Sequence, residues 1–321
     1  MSSAIRLMGV VNVTPDSFSD GGLFLAAEAA AARAKDLVRE GADILDIGGE
    51  STRPGAEPVP VEEELRRVVP AIEAIAEADT TRAAQSGPQI SIDTSKAAVA
   101  EAALAAGASF VNDVSALRAD PKMAGVVASS GCECCLMHML GEPRTMQADP
   151  KYRDVVDDVR AFLEARMAWA VRVGVAEDKI VLDPGIGFGK TLAHNLALLA
   201  RLDEIAALGR PVLIGTSRKS FLGRVLTESD RLRGPAGAGE SAEGSPVADR
   251  LTAGEQEGAN QPEGVVPIGR RLAGTVATNV LAFERGASIF RVHDVAPVAD
   301  ALAVAAATLG GDGRRRRRRG R

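Results

Sequence analysis

Aromatic residues are scarce in this sequence: they make up 3% of its 321 residues, against 46% for hydrophobic residues as a whole. Small aliphatic side chains must therefore fill the core, which is typical of layered α/β folds. Apolar runs of about 18 or more residues, which a membrane-spanning helix needs, are also lacking. The N-terminal segment has neither the basic region nor the long apolar region of a signal peptide. We therefore expect a cytoplasmic protein without a membrane partner.

Cysteine is rarer still, and Cys132, Cys134 and Cys135 are the three present. A structural zinc site would need a second cluster of ligands, and the sequence offers none beside them. Three clustered cysteines also do not make a disulfide framework. They lie in an apolar stretch that ends at His138, which we interpret as a buried strand. We expect a structural role for them, and a reducing compartment.

The formal net charge of −5 conceals an asymmetry. Seven of the 38 basic residues lie in the tail, at residues 314–319 and at Arg321, which leaves 31 basic against 43 acidic residues, a formal −12, for the body. An acidic body argues against a nucleic-acid-binding domain. The tail could contact nucleic acid, but we expect it to be solvated and without consequence.

Short β-branched or apolar runs alternate with longer Ala- and Leu-rich segments. Strands are predicted near residues 5–12, 43–47, 89–93, 109–114, 133–138, 179–183, 211–216 and 288–293. Helices are predicted at 26–40, 61–78, 96–106, 154–173 and 194–207, among others. Eight alternations without a closing antiparallel hairpin favour a single (β/α)8 TIM barrel. The competing open doubly wound sheet usually has a Gly-x-Gly-x-x-Gly turn after its first strand, and that turn is absent.

Two segments depart from this alternation. Residues 229 to about 267, after the seventh strand, are rich in Gly, Glu, Ala, Ser and Pro without an apolar period. Residues 310–321 contain only Gly and Arg apart from Asp312. We predict that both are disordered. The barrel domain would then span residues 1–309, interrupted by the insertion and followed by a polyarginine tail.

Polar residues follow the predicted strands, at the barrel end where active sites lie. They include Asn12, Asp46, Asp93, Asn112, His138, Asp183, Lys219, Arg291 and His293. Any one of them could simply cap a helix or form a turn, but a fold does not require the whole set. Two carboxylates, an amide and an ammonium in an apolar mouth match a flat heterocycle with an amino-pyrimidinone edge.

Three cationic side chains, those of Arg53, Arg291 and His293, would suit phosphate or carboxylate groups. Asn12, with loop oxygens beside it, could hold a hard cation such as Mg2+ that bridges to substrate phosphates. Other residues have plainer interpretations. We expect His138 to be structural, His194 to begin a helix and Asp46 to orient its neighbours, whereas Glu50 stays undecided.

The sequence resembles the dihydropteroate synthases in these segments. The longest motifs are GVVNVTPDSFSDGG (residues 9–22), DIGGESTRPG (residues 46–55) and DPGIGFGK (residues 183–190), and shorter ones lie at 91–94, 112–114, 137–139, 217–220 and 291–294. The resemblance implies a homodimer that joins a pterin pyrophosphate to p-aminobenzoate by an SN1-like mechanism. It also implies inhibition by sulfonamides, which mimic p-aminobenzoate.

The same resemblance implies roles for individual residues. The pterin would be held by Asp93, Asn112, Asp183 and Lys219, and the pyrophosphate by Thr52, Arg291 and His293. The p-aminobenzoate pocket would comprise Arg53, Pro54, Gly187, Phe188 and Ser217, together with a mobile loop that carries Asp16, Phe18 and Ser19. Mg2+ would bind to Asn12. The residues expected to carry the reaction are Lys219, Asp93, Asp183 and Arg53.

Two alternatives stay open. A pterin-dependent methyltransferase on the same barrel would share Asp93, Asn112 and Asp183, but it would not need the motifs at 51–54, 217–219 and 291–293. A non-catalytic paralogue could bind pterin without transfer. Loss of Asn12, Arg53, Lys219 or His293 would favour that paralogue, and all four residues are present.

Overall fold

The computed structural model describes residues 5–13, 22–51, 56–79, 87–142, 145–233 and 266–318. Its strands are β1 (Arg6–Asn12), β2 (Ile44–Gly48), β3 (Gln89–Asp93), β4 (Phe110–Asp113), β5 (Glu133–Met137), β6 (Ile180–Asp183), β7 (Leu213–Ile214) and β8 (Ile289–Val292). Its α-helices are α1 (Gly22–Arg39), α2 (Val61–Asp79), α3 (Ala97–Ala105), α4 (Met123–Ser130), α5 (Val155–Arg172), α6 (Leu192–Ala200), α7 (Leu202–Ala206), α8 (Ser220–Arg233), α9 (Leu272–Glu284) and α10 (Val295–Arg318). Short 3-10 turns lie at Glu177–Lys179 and Ile268–Arg271.

The strands pair in parallel in the order β6-β5-β4-β3-β2-β1-β8-β7. The ring closes between β6 and β7. There Leu182 and Val212 form a parallel bridge, and the Leu182 amide donates to the Pro211 carbonyl at 2.9 Å. The architecture is a (β/α)8 barrel, which confirms the fold class predicted from the alternating pattern.

One ring of apolar side chains fills the inside of the barrel. It consists of Met8, Ile44, Phe110, Cys135, Val181, Leu213 and Ile289. Side chains two residues further along a strand point the same way. The next layer toward the carboxyl ends is therefore polar, and it contains Asp46, Asn112, Asp183 and Arg291. At the opposite end, Arg6 donates to Glu133 at 2.9 Å and to Gln89 at 3.2 Å, so polar groups close the amino end.

The outward-facing strand residues pack beneath the helices. Buried residues such as Leu45 and Ile92 belong to a large cluster that also includes Val68 and Ile72 of α2. Burial of this apolar surface stabilises the barrel by about 25 cal/mol per Å2. Helix α6 begins with a capping box between Thr191 and His194, which confirms the expectation that His194 lies at the start of a helix.

All three cysteines are free and buried. Cys134 and Cys135 lie on β5, as the buried-strand interpretation predicted, and they face opposite sides of the barrel wall. Burial raises the pKa of the Cys134 thiol to about 12. Among the described residues there is no group of His, Cys, Asp and Glu that could hold a metal ion.

Each of the eight predicted strands is present, and the boundaries differ by a few residues. The helix Met123–Ser130 was not predicted. Helix α8 runs to Arg233, so residues 229–233 are helical and do not belong to the irregular insertion as predicted. Residues 234–265 lie outside the described residues. The predicted tail, residues 310–321, begins within α10, whose backbone is helical to Arg318. In the described part of the chain, no helix has the length and apolarity to cross a membrane.

Candidate active site

The carboxyl ends of the strands form a polar mouth above the apolar ring. Arg291 on β8 donates from Nε to Oδ2 of Asp46 at 2.6 Å and from Nη2 to Oδ2 of Asp93 at 2.7 Å. Asn112 on β4 donates from Nδ2 to the same Asp46 oxygen at 3.1 Å. One buried carboxylate on β2 thus connects side chains from β4 and β8.

Asp93 has the strongest functional signature in this mouth. Burial raises its pKa to about 7, the nearby carboxylates of Asp46, Glu64 and Asp113 add to the rise, and the Arg291 guanidinium opposes it. Its Oδ1 atom is buried and has no hydrogen-bond partner among the described residues. A buried carboxylate oxygen without a partner is costly to the fold, and it is ready to accept a donor from a ligand.

Asp183 at the end of β6 and Lys219 after β7 form the other side of the mouth. Burial raises the pKa of Asp183, and the Lys219 charge opposes that rise. Burial also lowers the pKa of Lys219 to about 8, while Asp183 raises it and Arg291 lowers it further. The Lys219 ammonium donates to the Ile186 carbonyl and lies 4.7 Å from the centre of the Phe188 ring.

The loop after β6 depends on glycine. Gly185 has φ +68°, and a Cβ there would lie 1.9 Å from the His138 carbonyl oxygen. The Gly185 amide donates to Oδ1 of Asp183 at 2.7 Å, so this turn also orients the carboxylate. Gly187 has φ +82°, and a Cβ there would lie 3.1 Å from Cδ of Lys219. Only residues without a side chain bring the loop this close to both neighbours.

Lys190 anchors the far end of the same loop. Its ammonium lies 3.0 Å from Nδ1 of His138 and donates to the Phe188 carbonyl at 3.0 Å. Burial lowers the pKa of Lys190 well below its usual value. Burial, together with the charges of Lys190 and Arg118, lowers the pKa of His138 to about 2. His138 is therefore neutral at physiological pH, which agrees with the structural role expected for it.

Close to Lys219 in the chain, the segments that follow β7 and β8 meet through Ser217 and His293. The Ser217 hydroxyl lies 3.0 Å from Nδ1 of His293 and accepts from the His293 amide at 3.2 Å. Arg33 on α1 donates to the His293 carbonyl at 2.8 Å. The His293 backbone is thus fixed from two sides beside the mouth.

Comparison with known proteins agrees with this geometry. The family model described as "Pterin binding enzyme" matches residues 8–293. The dihydropteroate synthase of Escherichia coli is 40% identical over 304 residues, which cover 95% of this chain and 92% of that protein. The chain belongs to the dihydropteroate synthase family of pterin-binding enzymes.

Solved structures of the family have the same architecture. The dihydropteroate synthase of Yersinia pestis, in complex with a sulfonamide drug, superposes with a TM-score of 0.77 at 39% identity over 96% of this chain and 95% of that one. The dihydropteroate synthase of Xanthomonas albilineans, in complex with 7,8-dihydropteroate, gives 0.72 at 40% identity over 95% of this chain and 94% of that one. These matches are synthases, which favours synthase activity over the methyltransferase alternative.

Several residues expected to act in the family reaction lie outside the described residues. They are Thr52, Arg53 and Pro54 after β2, and Asp16, Phe18 and Ser19 after β1. Of the expected p-aminobenzoate pocket, Gly187, Phe188 and Ser217 are described, and all three lie beside Lys219 or His293. Asn12 is exposed at the end of β1.

The structure adds contacts that the sequence did not predict for three further residues, Arg291, Glu50 and Lys190. Arg291 was expected to bind pyrophosphate, and here its guanidinium lies among the residues expected to hold the pterin. The undecided Glu50 pairs with Lys96 at 2.8 Å and accepts from the Val59 amide at 2.7 Å. Lys190 ends the motif DPGIGFGK, and no pattern in the sequence indicates that its ammonium is buried.

Proposed function

We propose that this protein is a dihydropteroate synthase. It joins 6-hydroxymethyl-7,8-dihydropterin pyrophosphate to p-aminobenzoate, and it releases 7,8-dihydropteroate and pyrophosphate. The observation that carries the proposal is the set of buried Asp93, Asn112 and Asp183 with the half-buried Lys219, which lines one barrel mouth in a chain 40% identical to a synthase over 95% of its length.

The mouth suits the pterin ring because several of its donors and acceptors are buried and held in place. Asp93 offers a buried oxygen without a partner in the described part of the chain, and Asp183 offers a second buried carboxylate across the mouth. Carboxylates can accept the paired N–H groups of an amino-pyrimidinone edge, while Asn112 combines a donor with an acceptor. The Lys219 ammonium can leave the Ile186 carbonyl to donate to a ring oxygen or nitrogen.

The reaction needs a good leaving group and a stabilised cation. The bond between the exocyclic carbon and pyrophosphate breaks first, and the pair of electrons leaves with the pyrophosphate. Ionised Asp93 and Asp183 favour the positive charge that spreads into the pterin, while Arg291 and His293 favour the departing anion. The p-aminobenzoate nitrogen then forms the new C–N bond and loses a proton. The chemistry requires no protein nucleophile.

Mg2+ is the cofactor implied by the leaving group. Its site would centre on Asn12, whose exposed amide stands at the end of β1. One amide oxygen suits Mg2+, which keeps several waters and is bound largely through substrate phosphates. When bound, the ion would neutralise charge that develops on the pyrophosphate.

The p-aminobenzoate pocket would lie between Phe188, Gly187 and Ser217, with Arg53 and Pro54 completing it. The Phe188 ring packs against a buried cluster of Met137, Met139 and Met146, which gives the pocket an apolar wall. A related synthase has been solved with a sulfonamide drug, and we expect sulfonamides to compete with p-aminobenzoate here as well. We further propose a cytoplasmic homodimer, a proposal supported by the three free, buried thiols and by the family resemblance.

Pyrophosphate release from the pterin pyrophosphate in the presence of Mg2+, measured with and without p-aminobenzoate, tests the proposal. We expect release that depends on p-aminobenzoate, with dihydropteroate as the product. Pterin binding without any product would instead identify a non-catalytic paralogue. Chelation of Mg2+ should stop turnover, and its re-addition should restore it.

A further inference from the structure

The loop after β7 has an unfavourable backbone conformation at its centre. Arg218 lies between Ser217 and Lys219, and it has φ +61°. This left-handed region is uncommon for residues other than glycine, and such a conformation persists only where the surroundings fix it. The direction in which the loop presents Lys219 therefore depends on whatever holds Arg218.

Three groups hold Arg218. Its amide donates to the Thr275 hydroxyl at 3.2 Å, and its carbonyl accepts from Nη1 of Arg271 at 3.0 Å. Its guanidinium forms a bidentate pair with Asp294, at 3.0 Å from Nε and 2.5 Å from Nη2. Amide, carbonyl and side chain are each fixed by a different element, so the conformation is imposed from outside the loop.

Arg271 is unusual for an arginine because it is only 1% exposed. It ends the turn Ile268–Arg271, which follows residues 234–265 in the chain. Its Nε donates to the Val266 carbonyl at 2.9 Å, while the Val266 amide donates to the Thr227 hydroxyl of α8 at 3.0 Å. One buried guanidinium thus connects the base of the insertion to the loop that carries Lys219.

We infer that Arg271 is a positioning residue for the reaction. It fixes the left-handed backbone of Arg218, and through it the directions of Ser217 and Lys219. The hydrogen bond between Val266 and Thr227 joins the two ends of the insertion below the loop, and Arg271 connects that junction to Arg218. The inference deepens the proposed function and rests on it, because it takes Lys219 as a residue of the pterin site.

The test compares R271M, R271K and D294N with R270M as the matched control. Arg270 is the adjacent arginine, but its side chain is 62% exposed and pairs with Asp230 at 3.0 Å on the surface. A small misplacement of a reacting group is expensive, so we expect R271M to lower kcat by about 10- to 100-fold. KM for the pterin substrate should change much less. R271K, which can reach one carbonyl at a time, should restore part of the loss.

D294N releases the same Arg218 from its other side and leaves Arg271 in place, so it should lower kcat in the same way. It also keeps the inference open to refutation if R271M does not fold. A purely structural role for Arg271 would lower the melting temperature with no change in kcat. Folded R271K and D294N proteins with kcat within about twofold of the wild type would overturn the inference. Absence of dihydropteroate from the wild-type protein would refute the proposed function instead.

Discussion

The guanidinium of Arg291 donates through Nε to the carboxylate of Asp46 at 2.6 Å, in the polar layer of the barrel mouth. Asp46 is fully buried, and it also accepts from Ser91 at 2.7 Å and from Asn112 at 3.1 Å. This carboxylate orients an amide and a guanidinium of the mouth.

Substitution of Asp46 by Asn should therefore damage the reaction without removing a substrate contact. Arg291 and Asn112 donate to the same Asp46 oxygen, so an asparagine whose amide oxygen lies there keeps both contacts but loses the negative charge that pairs with the Arg291 guanidinium. Hydrogen bonds to charged groups contribute about 1.5–3 kcal/mol each, so we expect kcat/KM to fall by about 10- to 100-fold. D36N, which removes a surface ion pair with Arg39, is the control. Unchanged kinetics for D46N would refute the positioning role.

Removal of the Lys219 ammonium should abolish most of the turnover and spare the fold. Burial lowers the pKa of Lys219 to about 8, so its charge costs the folded state free energy and its loss relieves that cost. We expect K219M to lower kcat by about 100- to 1000-fold and to melt no earlier than the wild type. D183N should behave similarly. K151M, at a side chain that is 81% exposed, serves as the control. Near-normal turnover in either site variant would show that the site assignment is wrong.

The pH dependence of kcat/KM should be a narrow bell. Asp93, with a pKa of about 7, must lose its proton to accept from the pterin, so activity rises as the pH passes 7. Lys219, with a pKa of about 8, must keep its proton to donate, so activity falls as the pH passes 8. K219R should move the alkaline limb upward, because arginine stays protonated. A flat profile between about pH 6 and about pH 9 would contradict both assignments.

Gly131 and Gly185 both have a left-handed backbone, so a comparison of their alanine variants distinguishes the cost of backbone strain from the cost of a steric clash. A Cβ at Gly131 meets nothing within 4 Å, whereas one at Gly185 would lie 1.9 Å from the His138 carbonyl. G131A should lower the free energy of unfolding by about 1–2 kcal/mol. G185A should lose a further 1–3 kcal/mol or so from the clash, and activity as well, since its amide holds Asp183. Denaturant unfolding measures the free energy of unfolding of both variants. Equal losses would contradict the close approach of Gly185 to the His138 carbonyl.

The strands could be predicted because each is a short apolar run with polar residues at its end. The same pattern predicted which ends carry Asp93, Asn112, Asp183 and Lys219, since parallel strands of a barrel deliver their carboxyl ends to one face. Helix Met123–Ser130 was missed because its small and apolar residues form no clear helical stripe. Helix α8 extended further than predicted because its last residues, though polar, continue a helix already begun at Ser220.

Other features depend on tertiary distances and could not be predicted. The bonds of Asp46 follow from the register that sets β2 beside β3 and from the ring that brings β8 to face them. Lys190 and Arg271 are cations in sequence, and a cation usually predicts a solvated surface. They can be buried because backbone carbonyls accept hydrogen bonds from them, and those carbonyls belong to distant parts of the chain or to irregular turns.

Neighbouring strands of the barrel are not joined by equal numbers of backbone pairings. Strand β7 is two residues long, and its junction with β6 rests on the single bridge between Leu182 and Val212. A ladder with so few rungs is where amide hydrogen exchange should begin, ahead of the longer β1–β2 ladder. Asp183 stands at one edge of that seam and Lys219 follows the other. Local opening between β6 and β7 would therefore change the distance between Asp183 and Lys219 before the barrel unfolds as a whole.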